Sequence, residues 1–200
     1  MANTPFGLAP VRYHNGSPYN GAAHVYFIPS TDGNAYAIGD PVMFAGSADA
    51  SGRCATVVLA TGGTGNSVLG CIIGGGSNTY GGAIGANPTT LETTIIPATK
   101  TRGYYVLVAD DPNLVFEIQE DSIGNNLAAT DVGNNFNLVS GANNGFISGW
   151  QLDSSTAATT NTLQLKVLGL SPKLNNAIGT NGKWLVMINN HALRPGVAGV

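Results

Sequence analysis

The sequence predicts an all-β protein, a β-barrel or β-sandwich preceded by an extended N-terminal arm. Three observations carry this expectation. Short runs rich in β-branched and aromatic residues recur along the chain, each closed by Gly, Pro, Asn or Asp turn signals. No segment of about ten residues places its apolar side chains at the helical period of about 3.6, and only 126–131 has room for one helical turn. Glycine contributes 28 of 200 residues while charged residues make up 10%, against about 7% and about 25% in an average soluble domain.

Residues 1–22 make the arm. Pro5, Pro10 and Pro18, with Gly7, Gly16 and Gly21, exclude a helix interior and a central strand. The interleaved Phe6, Leu8, Val11, Tyr13 and Tyr19 are too apolar for a free tail, so the arm is expected to dock on its own body or on a neighbouring subunit. A β-rich body over 23–194 follows, divisible into two small packed β modules near 98–103, and 195–200 form a C-terminal tail.

Strands are expected at 24–28, 41–45, 53–60, 67–73, 91–96, 104–109, 114–119, 136–139, 146–152, 162–170 and 184–190, with 35–38 leading into the tight turn Gly39-Asp40-Pro41. The clearest hairpin joins 53–60 to 67–73 through the glycine-rich connection 61–66. Asp110-Asp111-Pro112-Asn113 is a strong turn signal between 104–109 and 114–119. The glycine-rich stretch 74–87 reads as a long exposed loop. Within 162–170, Leu163, Leu165, Val167 and Gly169 share one face, as in a strand with one buried side. Within 184–190, Trp184, Val186 and Ile188 alternate with Leu185, Met187 and Asn189. Both faces are apolar there, which predicts a sheet covered on both sides or a subunit interface.

Composition excludes several function classes. The eight Lys and Arg are scattered singly and the net charge is −3, so no basic stripe is available to neutralise a run of phosphates, and a nucleic-acid partner is not expected. Apolar stretches fall far short of the roughly 20 residues of a membrane helix. Met1 to Pro10 has neither a basic residue nor an apolar core, which predicts a chain kept in a cytoplasm or leaving it inside a larger particle.

Candidate chemistry is sparse. Gly62-Gly63-Thr64-Gly65-Asn66-Ser67 and Gly74-Gly75-Gly76 lack the spacing and ending of a phosphate-binding loop. His14, His24 and His191 stand apart from one another and from Cys or Glu at metal-ligand spacing, so neither metal nor cofactor is expected. Asp110, Asp111, Glu117, Glu120 and Asp121 cluster in sequence; their expected use is in solvated turns and strand ends rather than catalysis. Tyr13, Tyr19, Tyr26, Tyr36, Tyr80, Tyr104, Tyr105, Trp150 and Trp184 are dispersed through expected strands, which favours packing over a sugar-stacking platform. Cys54 and Cys71 fall opposite each other in the expected hairpin. They read as buried small hydrophobes, with a cross-strand disulfide as the alternative.

Several stretches carry a resemblance. Pro5-Phe6-Gly7-Leu8-Ala9-Pro10-Val11-Arg12 followed by Gly16-Ser17-Pro18-Tyr19-Asn20-Gly21, then Ile38-Gly39-Asp40-Pro41-Val42, Val106-Leu107-Val108-Ala109-Asp110-Asp111-Pro112, Phe116-Glu117-Ile118-Gln119-Glu120-Asp121-Ser122, Leu152-Asp153-Ser154-Ser155 and Lys183-Trp184-Leu185-Val186 resemble virion structural proteins of tailed bacteriophages. Within that group the chain is most similar to head decoration, or cement, proteins. The resemblance implies a β-tulip-like, jelly-roll-like or related barrel fold and a homotrimer. It further implies a place on the capsid exterior, bound to the phage major capsid protein after assembly in the host bacterial cytoplasm. It implies no catalytic residue, cofactor, metal, nucleic acid or membrane. Phe6, Leu8, Val11, Arg12, Tyr13 and Tyr19 are the candidate contacts of the arm, and Trp184, Val186 and Ile188 a candidate interface strand. The rival expectations are another virion part (fibre, receptor-binding or coat protein) and a carbohydrate-active β-fold enzyme using Asp110, Asp111, Glu117 or Glu120.

Overall fold

The structure, a computed structural model, describes residues 1–77 and 96–199. Among them are twelve strands and one 3-10 turn, Ala129–Asp131. The β-class expected from the sequence is what the chain adopts.

Five strands close into a barrel: β2 (His24–Ile28), β3 (Pro41–Ala48), β4 (Ala55–Leu59), β5 (Gly70–Ser77) and β6 (Tyr104–Ala109), in the order β2-β4-β3-β5-β6. β6 pairs antiparallel with both β2 and β5, and β2 closes the ring through a parallel contact of Phe27 with Thr56. Ile28, Val42, Val57, Leu69, Val106 and Val108 fill the interior. Closure leaves the barrel without free edges.

A five-stranded antiparallel sheet lies against the barrel: β1 (Ala9–Tyr13), β7 (Leu114–Gln119), β8 (Asn135–Phe136), β11 (Leu165–Leu170) and β12 (Lys183–Ile188), ordered β1-β7-β12-β11-β8. A two-strand ribbon, β9 (Leu138–Val139) with β10 (Gln151–Leu152), flanks it. The sheet's inner face supplies Phe116, Ile118, Leu165, Val167, Trp184, Val186 and Ile188 to a core shared with Val68, Cys71 and Ala109 of the barrel side. Backbone hydrogen bonds fasten the two layers, from Val68 N–H to Asn190 O and from Ala192 N–H to Val68 O, both 2.9 Å.

Several expectations are corrected. The 53–60/67–73 hairpin does not form, because β3 lies between β4 and β5 and pairs with both. Cys71 therefore faces Pro41 and Ala109 in register, while Cys54 donates its thiol to Val25 O at 2.9 Å. Both cysteines are free and buried, as the packing alternative had it. Residues 74–77 continue β5 against β6 instead of opening a loop; the rest of the expected loop, Tyr80 and most of the 91–96 strand lie outside the described residues. Of 35–38 only two bridges form, Tyr36 to Ile96 and Ile38 to Ile147. The 110–113 turn does not make a hairpin but hands the chain from barrel to sheet, so strand membership changes there. Trp184, Val186 and Ile188 sit at 1%, 0% and 1% exposure in the chain's own core and offer nothing to a subunit interface.

Candidate functional site

The N-terminal segment is laid along the sheet. Ala9–Tyr13 becomes the edge strand β1, the kind of strand in which proline is tolerated. Gly7 makes the approach to the barrel: its φ is +68°, and a Cβ there would stand 2.2 Å from Gly39 O. Glycine alone meets both demands. Leu8, at 1% exposure, then enters the core and its N–H bonds to Gly39 O at 2.9 Å.

Upstream of Gly7 the fastening is polar. The fully buried Gln119 side chain accepts from Thr4 N–H at 2.9 Å and donates to Ala2 O at 3.0 Å. Gln151 Nε2 reaches Asn3 Oδ1, and the terminal amine of Met1 donates to Thr180 O at 2.8 Å. Of the six arm candidates, Leu8 is internal, and Tyr13 and Tyr19 pack on the core with ring centroids 6.3 Å apart. Burial raises the Tyr19 phenol to about 12. Phe6 lies beneath the ammonium groups of Lys173 and Lys183, at 5.9 and 5.6 Å. Arg12 is half-buried, bridged to Pro18, and Val11 is exposed.

Of the five clustered acids, Asp111 and Asp121 keep the expected turn role, accepting from Asn113 N–H at 2.7 Å and from Ile123 N–H at 3.2 Å, whereas Asp110, Glu117 and Glu120 are buried rather than solvated. Asp110 is buried and takes the Tyr26 hydroxyl at 2.6 Å and His24 Nδ1 at 2.8 Å. Glu117 is held on the outer face of the sheet by Ser171 Oγ at 2.5 Å and by the Lys173 ammonium. Glu120 accepts from Leu127 N–H at 2.8 Å and Gly182 N–H at 3.2 Å, and burial raises its pKa. Each carboxylate has its own set of partners, and the four are not brought to one cavity. Among the described residues no group of three His, Cys, Asp or Glu is placed to hold a metal.

At one end of the sheet three segments meet. Asn181 N–H donates to Ser122 Oγ at 2.7 Å, Asn181 Nδ2 to Met1 O at 2.9 Å, and Asn126 Nδ2 approaches Thr180 Oγ1 at 3.5 Å. This tip exposes Met1, Ile123, Leu174 and Ile178, at 43%, 69%, 92% and 51%. Neither 122–128 nor 174–182 contains a charged side chain.

Sequence reading missed the buried amides. Gln164, at 0% exposure, accepts from Gly63 N–H and Leu138 N–H and donates to Thr61 O and Asn66 O. It ties the 61–66 connection to the sheet. The available signal was a glutamine between Leu163 and Leu165 in a strand with one buried face, which does not itself say that the second face is covered. Beside this tie, a cleft of about 470 Å³ opens between 59–63 of the barrel and the ribbon strand β9.

No protein-family model matches the chain, and neither a curated protein nor a solved structure shows significant similarity to it.

Proposed function

We propose that the chain is a structural protein of a tailed-phage virion, a decoration protein that binds the exterior of the head and stiffens the shell of major capsid protein. The observation that carries this reading is the tip, where Met1 and two loop segments without charged side chains expose four apolar side chains. Side chains as exposed as Leu174 and Ile123 add nothing to the stability of an isolated molecule, whereas apolar surface lying against another protein is favourable by about 25 cal/mol per Å². The absence of charged side chains within 122–128 and 174–182 lowers the desolvation cost of a broad contact. The phage-like motifs along the chain supply the identity of the surface, and the reading includes a trimer and assigns no catalytic step.

Purified protein added to bare, expanded heads of the phage that encodes it should bind and raise their resistance to heat. Leu174→Asp with Ile178→Asp should abolish binding while leaving the melting temperature of the free protein unchanged. Failure of the native protein to bind such heads refutes the proposal.

A further inference from the structure

Four asparagines precede a glycine in this chain: Asn15, Asn20, Asn144 and Asn181. In such a pair the glycine's peptide nitrogen can attack the asparagine's side-chain carbonyl carbon, because no Cβ on the following residue stands in the way. The fold treats the four differently. Asn20 and Asn144 lie in exposed turns. Asn20 Oδ1 accepts from Ala22 N–H at 3.1 Å, and Asn144 Oδ1 from Ile147 N–H at 3.0 Å and Phe146 N–H at 3.4 Å. Neither Gly21 N–H nor Gly145 N–H has an acceptor among the described residues. Both glycines have left-handed backbone, with φ of +85° and +104°, and a Cβ on either would meet nothing within 4 Å.

Asn15 and Asn181 differ at the nucleophile. Asn15 sits in the same kind of turn, its Oδ1 accepting from Ser17 N–H at 3.0 Å, but Gly16 N–H is already engaged by Tyr13 O at 3.0 Å. Asn181 is 8% exposed and its Nδ2 donates to Met1 O at 2.9 Å. Gly182 N–H is shared between Gly179 O at 3.0 Å and Glu120 Oε1 at 3.2 Å. A nitrogen that must first give up a hydrogen bond reacts more slowly, by about fivefold for one bond. A donor already aimed at Oδ1, by contrast, stabilises that oxygen as negative charge gathers on it during attack.

We propose that Asn20 and Asn144 are sites of spontaneous modification, each closing on the glycine that follows it and ending as aspartate or isoaspartate, while Asn15 reacts more slowly and Asn181 is protected. Hydroxide takes the proton from the glycine N–H, and the nitrogen bonds to Cγ. The Cγ–Nδ2 bond then breaks, and Nδ2 leaves as ammonia after taking a proton from water. Water opens the resulting cyclic imide at either carbonyl. One amide is exchanged for one carboxylate, with no oxidant, reductant or cofactor. At Asn144 the new charge stands beside Phe146 and Ile147, exposed at 60% and 41%, so the reaction places a carboxylate at an apolar patch. The inference uses no part of the capsid reading.

The test is incubation of the folded full chain at neutral and at mildly alkaline pH. Ion exchange collects the more acidic species, peptide mapping by mass spectrometry locates each conversion, and enzymatic methylation reads isoaspartate. Asn20 and Asn144 should convert at least about fivefold faster than Asn15, and faster still than Asn181, with rates rising in proportion to hydroxide. In urea the four pairs lose their different surroundings and should convert at similar rates. Asn20→Gln and Asn144→Gln should each remove one acidic species, since the longer side chain closes a ring far less readily; melting curves matching the native protein establish that these variants fold. Retention of the amide at either Asn20 or Asn144 overturns the proposal. So does conversion of Asn15 or Asn181 at their pace in the folded chain, or the same ranking persisting in urea.

Discussion

Replacing His191 with asparagine should flatten the loss of stability that the protein suffers on mild acidification. The His191 ring is 3% exposed, just beyond β12, and its Nδ1 accepts from Leu193 N–H at 3.0 Å. Burial, reinforced by the neighbouring Arg194 cation, lowers its pKa from 6.5 to about 4. The unfolded chain binds a proton with the ordinary value near 6.5. Stability from this residue is therefore complete above pH 6.5 and is lost as pH falls toward 4. Between about pH 7.5 and about pH 5 the unfolded state takes up a proton that the native state refuses, and the difference amounts to at most about 2 kcal/mol.

Two buried acids act in the opposite sense. Burial raises the pKa of Asp40 and of Glu120, so both bind protons more readily in the folded state and favour it at lower pH. They are common to the native protein and the variant and cancel in the comparison. Asparagine keeps an oxygen for the Leu193 N–H and does not titrate. The assay is urea unfolding followed by tryptophan fluorescence at the two pH values, with the change in unfolding free energy as the readout. The native protein should lose up to about 2 kcal/mol more than His191→Asn over that interval. Equal losses would show that His191 takes up no proton on unfolding and would refute the reasoning.

Two further outcomes follow from the fold. Gly7→Ala should lower stability by about 2–4 kcal/mol, combining a left-handed backbone with overlap on a fixed carbonyl, whereas Gly16→Ala, with open space around it, should cost about 1 kcal/mol; thermal melts that rank them the other way would contradict the docked arm. Cys71 is fully buried and its thiol is pushed far above the usual range by burial, with Cys54 raised to about 11. A thiol reagent should therefore label both only after unfolding, and a reducing agent should leave the melting temperature unchanged; release of the two thiols only after reduction would mean a disulfide joins them.

How much of this was legible depended on distance along the chain. The strands β6 and β7 match the expected 104–109 and 114–119 because their alternating apolar residues end at a four-residue turn signal. The Leu165/Val167 face was correctly read as buried from local alternation. Pairing was not legible: the 61–66 connection looks like a hairpin loop, yet it spans an intervening strand. β1 escaped because Pro10 and the glycines argue against strands in general, though an edge position tolerates them. The roles of Glu117 and Gln119 depend on Ser171 and on residues 2–4, partners remote in sequence, and no local pattern announces them.

The turn at 110–113 and the strand β1 together have a kinetic consequence. Ala9 pairs with Glu117 and Tyr13 with Leu114, so the barrel strands from His24 to Ala109 lie between the two halves of one sheet edge. On a ribosome the barrel has all its strands as soon as β6 emerges, while the arm waits for β7 and the sheet for β12. Closing such a sheet requires contacts of high sequence separation, which form slowly. The arm residues, synthesised before the barrel strands, are thus among the last to find their places. During that interval an apolar arm with an unpaired strand edge is free to meet another chain.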